Sequence, residues 1–157
     1  MATNHNATAF AGFVGQSPPA YGGGHFAIYK FHCYMAAIAA ELAATVDGSA
    51  SDTLDIWDIP LGTMILGVFL DVTKVEGTAA TVAIGDNDNS SGYLAASSIN
   101  AVAKYATIVT DTWGAAHMIY KAAKMLRLLF ATAADIDLAV FDVYVYALVN
   151  QNVFTPQ

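Results

Sequence analysis

Asp55-Ile56-Trp57-Asp58 is the first run in this 157-residue chain whose residue types could do chemistry. Two carboxylates can divide acid and base work between them in glycoside hydrolysis, and an indole between them could stack on a sugar. The spacing argues against it. Three residues along an extended strand separate two side chains by about 10 Å and place them on opposite faces. A solvated strand edge with a packed tryptophan is the expected outcome.

Asp86-Asn87-Asp88-Asn89-Ser90-Ser91-Gly92 offers oxygen ligands at alternating positions, as a calcium loop does. The match breaks where it matters. Ser91 stands at the sharp-turn position that needs glycine, and Ser97 stands where a bidentate glutamate would close the shell. The histidines are His5, His25, His32 and His117. A metal site on a jelly roll takes two histidines two residues apart on one strand, whereas His25 and His32 are seven apart and so fall on opposite faces. Surface or interface histidines are expected instead. There is no Gly-x-Ser-x-Gly elbow and no Gly-rich phosphate loop before a helix. The sequence therefore predicts no enzyme, no metal and no cofactor.

Bulk properties narrow the partners. The charge balance of −7, with 13 acidic against 6 basic residues, leaves no basic patch for phosphates and excludes nucleic acid. The apolar run from Ile59 to Leu70 is broken by Pro60, Gly62 and Thr63 and is too short to span a bilayer, so no membrane partner is expected. The N-terminus lacks a basic stretch followed by an apolar one, so no secretory signal is expected and folding is assigned to the cytoplasm of the producing cell. Cys33, the single cysteine, excludes an intramolecular disulfide and a Cys-based zinc site, and its strand-like surroundings predict a buried, inert thiol. Only 12% of residues are charged, against about 25% in an average domain. A chain this apolar is expected to hide surface against copies of itself or a partner.

The elements that carry these residues read as one domain with a leader arm. Residues 1–24 are small, polar and rich in Gly and Pro, yet hold Phe10, Phe13 and Tyr21. An extended arm that packs on a neighbouring subunit and simple disorder are both open. His25 to Met35 reads as a strand whose alternation slips, with Phe26 and Ile28 on one face and Phe31, Cys33 and Met35 on the other. A bulge near Lys30 or two-sided burial would reconcile them. Ala36 to Val46 predicts a short helix stopped by Asp47-Gly48-Ser49. Thr53 to Ile59 is a strand ended by Pro60. The next strand places Met64, Leu66, Val68, Leu70 and Val72 on one face and runs from a sheet centre towards an edge. After the turn Glu76-Gly77-Thr78, Ala80, Val82 and Ile84 point inward. Residues 85–92 form a polar loop, and Tyr93-Leu94 resumes a short strand.

Ala95 to Thr112 reads as a surface connection with a short strand around 105–109. Met118 to Lys121 and Leu126 to Thr132 are further strand candidates, with helix a competitor over 114–129. Asp137 to Val149 is the clearest long strand and suits a central position. Phe141, Val143, Val145 and Val149 share one of its faces, and Asp142, Tyr144, Tyr146 and Leu148 share the other. Tyrosine joins a large apolar area to a hydroxyl that can stay wet. Phe10, Phe13, Tyr21, Tyr144, Tyr146 and Leu148 are therefore the candidate interface residues, with a second inner face under a loop as the alternative for Tyr144 and Tyr146. About eight strands with short turns give an all-β fold, a jelly-roll-like β-sandwich over 25–157 with an extended N-terminal arm over 1–24.

One stretch also resembles a pattern in small structural proteins of tailed bacteriophages. The matching residues are Ile59-Pro60, Gly62-Thr63, Val72-Thr73, Gly77-Thr78-Ala79-Ala80-Thr81, Ile84-Gly85-Asp86 and Gly92-Tyr93-Leu94, and the closing strand Val143 to Val149 is similar to the end of those chains. The resemblance implies a head decoration or cement protein. That would be a homotrimer bound to the major capsid protein on the outer surface of the head. A tail or head-fibre base component is the second reading, and a carbohydrate-binding sandwich using Trp57 or Trp113 is the third. Residues 1–24 and 101–113 depart from the pattern.

Overall fold

The computed structural model describes residues 4–6, 25–108, 122, 124–132 and 135–149. In chain order the elements are β1 (Asn4–Asn6), β2 (His25–Tyr34), α1 (Met35–Leu42), β3 (Thr53–Ile59), β4 (Thr63–Lys74), β5 (Thr81–Asp86), β6 (Leu94–Ser98), β7 (Lys104–Ile108), β8 (Lys124–Ala131) and β9 (Val140–Val149). Eight of the strands form two antiparallel four-stranded sheets, ordered β2-β9-β4-β7 and β3-β8-β5-β6. The three-residue β1 adds parallel to the edge strand β3. From β2 to β9 successive strands alternate between the sheets except for the β5–β6 hairpin, which is the winding of a jelly roll.

The sheets face each other with β2 over β3 and β9 over β8. Trp57 of β3 packs on Tyr29 and Phe31 of β2, with ring centroids 4.4 and 5.7 Å apart, and Phe130 of β8 meets Phe141 of β9 at 6.4 Å. Between them lie Leu54, Ile56, Leu70, Ile84, Leu126 and Leu128, all fully buried. Each such side chain is worth about 1.5–3 kcal/mol on transfer from water. Cys33 belongs to this core, and burial pushes its thiol far above the ordinary range, so it is unreactive.

β9 is central, as its pattern predicts, with Phe141, Val143, Val145 and Val149 inward. β8 is a strand rather than a helix, with Leu126, Leu128 and Phe130 inward; Met118 to Lys121 lie outside the described residues. Four expectations need correction. β2 has no bulge: its ten pairs with β9 run unbroken from His25–Val149 to Tyr34–Val140, so the slipped alternation reflects apolar residues on both faces. β4 does carry a bulge at Leu66, because pairing with β9 jumps from Ile65 to Gly67. Ile65 therefore joins Val68, Leu70 and Val72 inside, and Leu66 turns outward. α1 ends at Leu42 with Ala43 in the left-handed region at φ 50°, before Asp47-Gly48-Ser49. Those residues instead form an Asx turn in which Asp47 accepts from the Ser49 amide and hydroxyl and the Ala50 amide. Finally, the strand expected at Leu94 runs on through 95–98 as β6, where a surface connection was expected.

The buried carboxylate of Glu76 ties the β4–β5 turn to the segment before β9. Its Oε2 accepts from the Leu138 and Ala139 amides at 3.1 Å each, and its Oε1 accepts from Gly77 at 3.1 Å.

Candidate functional site: the outer face of the four-stranded sheet

Cross-strand register fixes what the outer face of β2-β9-β4-β7 presents, because opposed residues share a side. The first row is Phe26, Leu148 and Met64. The second is Ile28, Tyr146, Gly67 and Ile108, and the third is Lys30, Tyr144, Phe69 and Ala106. The fourth is His32, Asp142, Asp71 and Lys104. The face thus grades from apolar at one end to charged at the other.

At the charged end every carboxylate has a cation beside it. Asp142 accepts from Lys30 Nζ at 2.8 Å and from His32 Nδ1 at 2.7 Å, and Asp71 accepts from Lys104 Nζ at 2.9 Å. Burial raises the Asp142 carboxyl, but Lys30 and His32 together outweigh it and hold it below the usual value. The same contacts raise Lys30 and Lys104. Lys30 also sits 5.5 Å from the Tyr144 ring centroid and Lys104 sits 5.9 Å from that of Phe69. The cations of these pairs are exposed while Asp142 is buried, so the pairs help to set register and contribute modestly to stability.

At the apolar end Phe26 is 57% exposed, Ile28 47% and Ile108 78%, with Leu66 and Leu148 exposed beside them. Phe26 and Tyr146 pair at 6.1 Å between ring centroids. Together with Leu66, Gly67, Phe69 and β7 they bound an open groove of about 640 Å³, and among the described residues its lining contains no charged one. Gly67 is required there. A Cβ on it would meet the Thr107 carbonyl oxygen at 2.9 Å, so glycine lets β7 close against the bulged β4. Exposed apolar patches without charge are the kind of surface that association sites use.

Tyr144, Tyr146 and Leu148 thus lie on one face, as the strand period implies, with the two tyrosines half-buried and Leu148 exposed. Phe10, Phe13 and Tyr21 lie outside the described residues, as do His117 and Trp113. The sequence reading missed Phe26, Ile28, Leu66 and Ile108. The broken alternation in β2 signalled the first two, and an isolated glycine within a strand, Gly67, signalled the bulge that exposes Leu66.

The other candidates resolve into structure. A bulge at Ile56 lets Asp55 pair with Arg127 and Asp58 with Met125, two apart on β8, so the two aspartates share a face, contrary to simple alternation. They form no acid–base pair. Asp55 is buried and held by Arg127 Nε at 2.6 Å and Nη2 at 2.9 Å, which raises the guanidinium further. Trp57 is half-buried and points inward onto Tyr29 and Phe31. Asp86 accepts from the Asp88 and Asn89 amides at 2.8 and 3.0 Å, so its carboxylate shapes the 85–92 loop, with the Tyr93 hydroxyl donating to it at 3.3 Å. Among the described residues no three His, Cys, Asp or Glu side chains gather as a metal site.

No protein-family model matches this chain, and no curated protein matches it. Solved structures do. A chain in the capsid of Ralstonia phage GP4 superposes with a TM-score of 0.62 at 13% identity, over 96% of this chain and 100% of that one. A chain in the cyanophage Pam1 capsid asymmetric unit gives 0.57 at 18% identity, over 85% and 91%. One in the acidic stable capsid structure of Helicobacter pylori bacteriophage KHP30 gives 0.50 at 13%, over 84% and 92%. The likeness is one of fold, extending over nearly the full length of each chain.

Proposed function

We propose that this chain is a structural, non-enzymatic component of a phage virion: a decoration or cement protein that binds the outer surface of the capsid, assembles as a homotrimer, and stabilises contacts between major capsid subunits. The observation that carries this reading is the uncharged apolar end of the β2-β9-β4-β7 face, exposed on a jelly roll whose fold recurs in chains of three phage capsid structures. Tyr144, Tyr146 and Leu148 contribute to that surface, and Phe10, Phe13 and Tyr21 of the arm supply further contacts to neighbours. The net charge of −7 favours the outside of a shell filled with DNA. Many modest contacts repeated over a lattice add up to tight binding.

The test is reconstitution. Purified protein added to heads that lack it is expected to bind at a stoichiometry of many copies per head and to raise the temperature at which DNA is released. A Tyr146→Asp/Leu148→Asp variant that stays folded is expected to bind weakly. Equal binding by that variant would remove the face from the reading, and no binding by the wild type would remove decoration itself.

A further inference from the structure

The groove at the apolar end has no occupant within the described residues, and the chain carries a segment suited to it. Residues 7–24 contain no charged side chain and place Phe10, Phe13, Val14 and Tyr21 among small residues. The groove lining is likewise uncharged, and Phe26, one of its walls, follows that segment by two residues. The other two segments leaving the same end match less well. Residues 109–121 include Asp111 and Lys121, and residues 150–157 offer one aromatic, Phe154.

Reach decides whose arm it is. Asn6 pairs with Asp55 on the edge of the opposite sheet, so the arm starts on the far side of the sandwich. From there the path around the β2 edge to the groove crosses about 10 Å between sheets, then two or three strand spacings, then four residues along the strand, roughly 35 Å in all. Fully extended, the chain carries Phe10 only about 14 Å from Asn6 and Phe13 about 24 Å. With β1 paired to β3, neither phenylalanine reaches the groove of its own molecule.

We propose that this groove receives the arm of a second copy of the chain, with Phe10 and Phe13 as its anchors. The inference rests on the reading of the chain as a multi-copy subunit, and it specifies what joins the copies: an uncharged aromatic segment laid across an uncharged sheet face. Exchange of arms joins subunits without a large rigid interface, since each copy both gives an arm and accepts one.

The experiment uses full-length purified protein, without capsids. One preparation carries Phe13→Cys, a second carries Ile108→Cys, and they are mixed and oxidised; buried Cys33 stays out of the reaction. The expected result is a mixed disulfide dimer, at least about tenfold above a mixture in which Ala101→Cys, at the opposite end of the sheet, replaces Ile108→Cys. In parallel, light scattering of a Phe10→Ser/Phe13→Ser variant at micromolar concentration is expected to report monomer where the wild type is an oligomer. Three results would each overturn the proposal: no mixed dimer above the control, an intramolecular disulfide as the sole product of the Phe13→Cys/Ile108→Cys chain, or a wild type already monomeric. Because no capsid is present, a missing mixed dimer or a purely intramolecular disulfide would remove arm exchange alone, a monomeric wild type would remove the homotrimer as well, and failure of the head-binding assay would remove decoration.

Discussion

Truncating Glu76 to alanine is expected to loosen the joint between the β4–β5 turn and the start of β9. The carboxylate is 4% exposed and accepts three backbone amides. They are not equal. Gly77 is exposed and its amide can turn to water, and Leu138 is partly exposed, whereas Ala139 is fully buried and its amide would face the space the carboxylate had filled. Hydrogen bonds to a charged acceptor are worth about 1.5–3 kcal/mol each, and a buried donor left alone costs about 1–3 kcal/mol. Counting the Ala139 bond in full and the Leu138 bond in part gives a loss of about 3 kcal/mol. For a domain of this size that lowers the Tm by about 6–12 °C. Glu76→Gln keeps the shape and one carbonyl acceptor, but turns its amide nitrogen towards another donor, so it should fall between the two. Urea unfolding followed by circular dichroism, at one fixed protein concentration, measures all three chains. A Glu76→Ala curve that overlays the wild type would refute the reasoning.

Gly85→Ala is expected to be at least as costly, about 3 kcal/mol, because the added Cβ would collide with the Asn89 carbonyl oxygen and lie 2.6 Å from Ser90 C and 2.7 Å from Gly92 N, all backbone; an unchanged Tm would contradict the tight packing of the 85–92 loop. Thr63→Val is expected to raise stability by about 1 kcal/mol, since the buried Thr63 hydroxyl oxygen has no hydrogen-bond partner among the described residues and valine fills the same space, and a loss in urea unfolding would count against that. The Asp142 carboxyl lies below its ordinary value in the folded chain, so its contribution is present above the unfolded value of about 3.9 and disappears as pH falls through the lower folded value. Asp142→Asn should therefore be less stable than wild type at neutral pH, with the gap closing below about pH 4; a gap that widened on acidification would contradict the sign.

Where one period ran without interruption, the residues themselves revealed the fold. In β9 the alternation from Phe141 to Val149 gave both faces and the central position, and in β8 Leu126, Leu128 and Phe130 outweighed the helix-forming composition around them. Bulges defeated the same logic. One extra residue at Leu66 moved Met64 outward and Ile65 inward, and another at Ile56 put Asp55 and Asp58 on a common face. Side-chain to backbone bonds over long sequence distance were equally hidden: nothing near Glu76 announces that its partners are Leu138 and Ala139. For the candidate site, Tyr144, Tyr146 and Leu148 could be read from their strand alone. The groove could not, because it exists only when β2, β9, β4 and β7 bring Phe26, Tyr146, Gly67 and Ile108 together. The apolar Phe26 and Ile28, which looked like an error of phase in β2, were the surface itself.

The central claim is that this jelly roll sits in many copies on a phage head and uses the outer face of β2-β9-β4-β7 to hold its neighbours. An electron-microscopy map of the purified particle containing this chain tests it most directly. The account predicts density for the sandwich repeated over the outer lattice of the head, with Tyr146, Leu148 and the groove beside Ile108 in contact with another chain. A map that placed a few copies at the tail, or that left this face open to solvent on the head, would contradict it.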